Sequence, residues 1–188
     1  MSRPVLRQAL KQLRTAGVIT SRQGSGSYVT GRPDSAILKF APVGSIADIQ
    51  RTFEFRAAIE GEAAYLAAER RSDAQMESLE AAIHALDACL RTGRLGVEED
   101  EVFHALVCAA SDNQYFEAAR ASMKSNIITG MNLTRSLSLK KSMERLQLVQ
   151  TEHYAILDAL RSQDADAARR AMRAHIDNAR SRVFEGST

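Results

Sequence analysis

The sequence predicts a mainly α fold in which helices pack on helices. Three observations carry this. Aromatic residues make up only 5% of the 188 residues and Trp is absent, while 45% are hydrophobic and 26% charged, a balance that suits water-facing helices better than a sheet-rich core. Apolar residues recur at steps of three and four over almost everything after position 45. No apolar run approaches the roughly 18 residues of a membrane span, and the N-terminus does not read as a signal peptide. The expectation is therefore a cytoplasmic protein with no membrane partner, built as one or two small domains. Cys89 and Cys108 are too few for a disulfide framework and are expected to be buried thiols.

The first element expected is a helix over 3–16. Val5, Ala9, Leu10 and Leu13 form its apolar stripe, Ser2 can cap it, Pro4 suits the first turn and Gly17 can stop it. Two short β-type runs follow, VITS and SYVT, separated by RQGSG, which reads as a hairpin. One helix and a Gly-containing ribbon make the back half of a winged helix-turn-helix, assigned to residues 1–32. Residues 33–45 hold two prolines and a glycine and read as a linker. The remainder, 46–185, is expected to be an antiparallel helical bundle. Its helices are expected near 46–70, 73–91, 97–112, 114–137, 142–162 and 164–183, with Asp73 and Asp164 as N-caps.

Charge is divided along the chain. Residues 1–32 carry six basic residues and no acid, for +6, whereas the rest carries −4. A basic end on an acidic body suggests a nucleic-acid-facing segment.

Four polar residues fall on the inward stripes of the helices. His153 lies with Leu146, Val149, Ile156 and Leu160, and His175 with Ala168, Met172 and Ala179. Asp100 and His104, four apart, can aim a carboxylate oxygen and an imidazole nitrogen at one spot. Burying such groups without partners is unfavourable. A divalent metal resolves this, and Zn, Ni, Mn and Fe(II) all suit these donors. The alternative is a set of hydrogen-bonded core histidines. His84 lies on the flank of its helix stripe and reads as surface. Arg56 shares the stripe of Ile49, Phe53 and Ala63. It either pairs internally with Glu60 or forms a fork for a ligand carboxylate.

SRPVLRQALKQLRTAGVITSRQGSGSYV (2–29) resembles the recognition helix and wing of GntR-family bacterial transcriptional regulators. FEFRAAIEGEAAYLAAER (53–70), DEVFHALVCAASDN (100–113) and EHYAILDALRSQDADAARRAMRAHI (152–176) resemble, in order, the helical FCD effector domain of that family's FadR-like branch. The resemblance implies a divalent metal held by Asp100, His104, His153 and His175. It implies a small carboxylate effector contacted by Arg56 and Asn113, the latter having a helix C-cap as its other reading. It further implies a homodimer, and operator DNA contacted by Ser2, Arg3, Arg7, Gln23, Gly24 and Ser25; Lys11 and Arg14 read as a solvated face. Arg can read guanine edges, while Ser and backbone amides grip phosphate. The family's reading head includes a helix that would precede Met1, so weak or absent DNA affinity is expected of this chain alone. No catalytic residue is assigned. Two rival readings remain at this level: a metalloenzyme in which a His3Asp site activates water, and a metal-free helical bundle.

Overall fold

The structure, a computed structural model, describes residues 3–15, 19–22, 26–29, 44–139 and 143–184. The chain divides into two compact units, Met1–Lys39 and Phe40–Thr188.

In the first unit α1 spans Arg3–Thr15. Its last residue turns back on the helix, Thr15 Oγ1 donating to the Lys11 carbonyl at 3.1 Å. Strands β1 (Ile19–Arg22) and β2 (Gly26–Val29) pair antiparallel, Ile19 opposite Val29 and Arg22 opposite Gly26. The hairpin was expected one residue earlier in its first strand and one later in its second. Gly26, at φ +105°, opens β2 in a conformation that L side chains rarely adopt. Ser2, Gly17, Gln23, Gly24, Ser25 and residues 33–43 of the expected linker lie outside the described residues.

The second unit is all helix among the described residues: α2 (Ile46–Arg70), α3 (Asp73–Arg91), α4 (Val97–Ala110), α5 (Gln114–Ser122), α6 (Lys124–Leu139), α7 (Met143–Arg161) and α8 (Ala165–Phe184). α2 is central and packs against α4, α5, α6, α7 and α8. Its alanines allow that closeness: Ala63, Ala64, Ala67 and Ala68 are fully buried. One continuous apolar core joins α2, α3, α4, α7 and α8, with Leu79, Ile83, Phe103, Val107, Ile156, Leu160 and Met172 fully buried. Cys89 and Cys108 are buried thiols that form no disulfide. Among the described residues, no helix is long and apolar enough to cross a membrane.

Two sequence expectations need correction. The helix expected over 114–137 is two helices. Ser122 Oγ donates to the Ala119 carbonyl at 2.7 Å, and the Met123 amide reaches the Arg120 carbonyl three residues back. This tightens the last turn of α5 and ends it, with Met123 buried at the corner. Asp73 is not the cap of α3. Ser72 is, in a capping box: its hydroxyl accepts from the Gln75 amide while the Gln75 side chain accepts from the Ser72 amide. Asp164 does cap α8, accepting from the Ala167 amide at 2.9 Å. The turns between helices use left-handed residues: Gly93 and Gly96 before α4, Asp112 before α5, Gln163 before α8.

Candidate metal centre

Asp100 and His104 project from α4, His153 from α7 and His175 from α8. All four are buried, and one ligand atom from each lies within 4.8 Å of the others. Ligands on opposite sides of one ion would be about 4.2 Å apart, given metal–nitrogen bonds of roughly 2.1 Å. The cluster is thus nearly of coordination size. His84, by contrast, is exposed on α3, its Nδ1 3.8 Å from Asp87.

The partners around the cluster decide how each imidazole is protonated. His104 Nδ1 lies 2.6 Å from Glu60 Oε2, His175 Nδ1 lies 2.9 Å from Glu152 Oε2, and His153 Nδ1 lies 3.3 Å from Gln150 Oε1. The Gln150 amide group donates to the Ile83 carbonyl and to Asp87 at 2.8 Å, so its oxygen is the end left for His153. Burial alone would push Glu60 up, but Arg56, His104 and Arg120 together hold it well below the usual carboxylate range. Glu152 is likewise drawn down to about 2: burial opposes this, and the hydrogen bonds from His175 and Arg182 outweigh it. Both carboxylates are ionised acceptors, so each Nδ1 is the donor. In the neutral rings every Nε2 then carries a lone pair.

Those lone pairs face one another. His104 Nε2 is 3.2 Å from His175 Nε2. His153 Nε2 is 3.1 Å from Asp100 Oδ1, yet this buried nitrogen makes no hydrogen bond, the pair being out of line for one. His104 Nε2 is 3.7 Å from Asp100 Oδ2. Protonating an imidazole would supply a donor, but burial lowers His175 to about 3, with His153 and His104 adding to the shift, and burial lowers His104 too. The Nε2 lone pairs of His104 and His175 thus face each other, with His153 Nε2 and the Asp100 carboxylate beside them. That arrangement is unfavourable on its own and fits a divalent cation, whose ligands are neutral imidazole and carboxylate.

Arg56 makes the internal ion pair: its Nε donates to Glu60 Oε1 at 2.7 Å, and its side chain is 4% exposed. Glu60 therefore serves Arg56 and His104 together. Beside it Arg120 grips Glu101 with two hydrogen bonds of 2.8 and 2.7 Å, and its Nε lies 3.7 Å from Glu60. Asn113 is an N-cap, not the C-cap of the alternative reading: its Oδ1 accepts from the Tyr115 amide at 3.1 Å to start α5. Arg7 is exposed on α1, and Arg3 is the first residue of that helix.

Sequence reasoning missed Glu152, Gln150 and Arg182, and saw Glu60 only as a partner for Arg56. Glu152 and Arg182 meet across α7 and α8, and Glu60 on α2 reaches His104 on α4, contacts of which helical spacing along one segment carries no sign; Gln150 lies three residues before His153 on α7 and was open to that spacing.

Fold and site together define a class: an all-helical domain whose core holds three histidines and an aspartate on three of its helices. Residues 51–178 match the FCD domain, and the chain belongs to this family, within the GntR-type transcriptional regulators. It is 29% identical over 185 residues to the HTH-type transcriptional regulator LutR of Bacillus subtilis, covering 95% of this chain and 83% of that protein. It is also 29% identical over 190 residues to the putative L-lactate dehydrogenase operon regulatory protein of Escherichia coli, covering 94% and 70%. A solved structure of Streptococcus agalactiae GntR matches with a TM-score of 0.63 at 24% identity over 96% of this chain and 82% of that one, a likeness of fold. The relatives are transcriptional regulators, so the metalloenzyme reading is set aside.

Proposed function

We propose that this regulator carries a divalent metal on Asp100, His104, His153 and His175 and senses a small organic acid beside it. The observation that carries the reading is the convergence of three Nε2 atoms and one carboxylate, each imidazole held by a partner on Nδ1. Zn, Ni, Mn and Fe(II) all suit the donor set. The bound ion supplies positive charge against which a carboxylate can be anchored. This chain's own residues do the rest. Arg56 adds a fixed cation one salt bridge away from His104, and Asn113, whose oxygen caps α5, keeps its amide group as a donor for the effector.

The same reading assigns residues 1–32 to a DNA-reading head, 33–45 to a linker and 46–185 to the sensing domain of a cytoplasmic homodimer. Ser2, Arg3 and Arg7 meet operator DNA from the helix, and Gln23, Gly24 and Ser25 from the wing. Effector binding shifts the balance between placements of the two heads.

A thermal-shift screen of small hydroxy acids, sugar acids and dicarboxylates tests this, with and without chelator, on wild type and Arg56→Ala. Lactate heads the panel, because one relative is named for an L-lactate dehydrogenase operon. The expected result is an acid that raises the melting temperature of the metal-loaded wild type and loses most of its effect after chelation or in Arg56→Ala. An acid with the same effect in all three conditions contradicts the proposed site.

A further inference from the structure

Glu152 does more than meet His175. Its Oε2 accepts from His175 Nδ1 and from Arg182 Nη2, both at 2.9 Å, while its Oε1 accepts from Arg182 Nη1 and from Asn178 Nδ2, also at 2.9 Å. The carboxylate thus sits on α7 and holds three residues along the last three turns of α8. Arg182 is almost wholly buried, although it lies only two residues from the end of that helix. An Arg so placed is unusual unless its position matters, because a charge near a helix end can ordinarily reach water.

The end of α8 is itself docked. Phe184 meets Phe53 edge to face, ring centroids 6.4 Å apart at 89°, a favoured aromatic arrangement. Phe53 and Ile49 are buried on the first three turns of α2 and also face Gly130 of α6. α2 is the helix that follows the N-terminal unit in sequence. Charge-assisted contacts therefore run from His175 through Glu152 to Arg182, two residues before Phe184 on the same helix, and the Phe184 ring packs on Phe53 near the beginning of α2.

We propose that Glu152 is a positioning residue that locks the last turns of α8 to the imidazole of His175, and that filling the metal site secures those turns against the start of α2. The inference rests on the metal reading above. His175, once its Nε2 is held by an ion, has one orientation, and the Nδ1–H then fixes Glu152, which fixes Arg182. With Nε2 unheld, the lone-pair conflict with His104 favours rotation of the ring, and the contacts downstream of it loosen. The start of α2 is the place where such loosening would reach the segment leading to the DNA-reading head.

Hydrogen–deuterium exchange on the full chain tests it, with Zn(II) content measured on the same samples. In wild type, Zn(II) is expected to slow exchange of the amides over 46–56 by about tenfold, the scale of a local opening coupled to ligand binding. Glu152→Gln, at saturating Zn(II), is expected to lose most of that slowing. Phe184→Leu touches no ligand, so it is expected to keep wild-type Zn(II) affinity and still lose the slowing. Zn(II) bound by wild type with no slowing over 46–56, or the same slowing in both variants, overturns the proposal and leaves the metal reading intact. A wild type that binds no Zn(II) overturns both.

Discussion

Glu60→Gln removes one charge and nothing of the shape. In the wild type Glu60 is fully buried, with Oε1 accepting from Arg56 Nε at 2.7 Å and Oε2 from His104 Nδ1 at 2.6 Å. A glutamine offers one oxygen and one NH2. Whichever way it turns, its amide nitrogen faces a donor: Arg56 on one side or the imidazole N–H on the other. Removing one partner of a buried ion pair costs about 3–5 kcal/mol. The lower end applies here, because Gln keeps one acceptor and Arg120 keeps both bonds to Glu101. A loss of about 3 kcal/mol lowers the melting temperature of a unit this size by roughly 6–12 °C. Metal affinity should fall by about 10–100-fold, since His104 loses the partner that fixes its tautomer. Calorimetry of metal-stripped protein reads the first number and competition titration with a chromophoric chelator reads the second. Glu62→Gln is the control. Glu62 binds Arg169 and Arg173 at the surface of α2 and α8, where a charge pair is worth about 0–1 kcal/mol. Equal melting and equal metal affinity for Glu60→Gln and wild type would refute the claim that Glu60 holds His104.

Three further outcomes follow from the same geometry. The pKa of His175 is lowered from 6.5 to about 3, and that of His104 is lowered also. Below pH 6.5 the unfolded chain takes up protons that the folded chain refuses, so the stability of metal-stripped protein is full above that pH and declines as the pH falls toward 3. Glu152, drawn from 4.5 to about 2, adds to the loss below pH 4.5; urea unfolding at a series of pH values checks the slope, and a flat profile between pH 7 and 5 would contradict it. Gly96→Ala should cost about 1–2 kcal/mol, because Gly96 is left-handed at φ +60° and an added Cβ would lie 3.1 Å from the Cys89 Cβ; thermal melting without that loss would show that the α3–α4 turn can rearrange. Ser72→Ala should cost about 1 kcal/mol by removing the capping box of α3, measured the same way.

Much of the fold was legible because it is written in local spacing. The stripes over 46–70 and 73–91 ended where the helices end, since Ser72 caps the next helix through its hydroxyl and Gly93 and Gly96 take left-handed backbone conformations that stop a helix. The break at Met123 was not legible. It depends on Ser122 and Ala119 closing a tight turn and on Arg120 reaching back to Glu101, while the apolar pattern runs through it without a gap. Asp73 and Ser72 are both good caps, and only the Gln75 side chain decides between them. The four clustered residues Asp100, His104, His153 and His175 were selected by face periodicity, because a polar residue on a core stripe stands out. Arg56 stood out for the same reason, with its ion pair to Glu60 as one of two readings. Glu152, Gln150 and Arg182 did not stand out. Each is polar in a helix rich in polar residues, and what distinguishes them is a neighbour 23 to 63 residues away.

The central claim is that Asp100, His104, His153 and His175 bind one divalent ion together. The direct measurement is elemental analysis of the full chain after incubation with Zn(II) and desalting, for wild type and His153→Ala. Removing His153 takes away one ligand from a site whose other three remain, and its Nε2 already makes no hydrogen bond that the fold would miss. One equivalent of zinc per chain in wild type and a small fraction of that in a folded His153→Ala is the predicted result. A wild type free of zinc, or a variant that keeps a full equivalent, would contradict it.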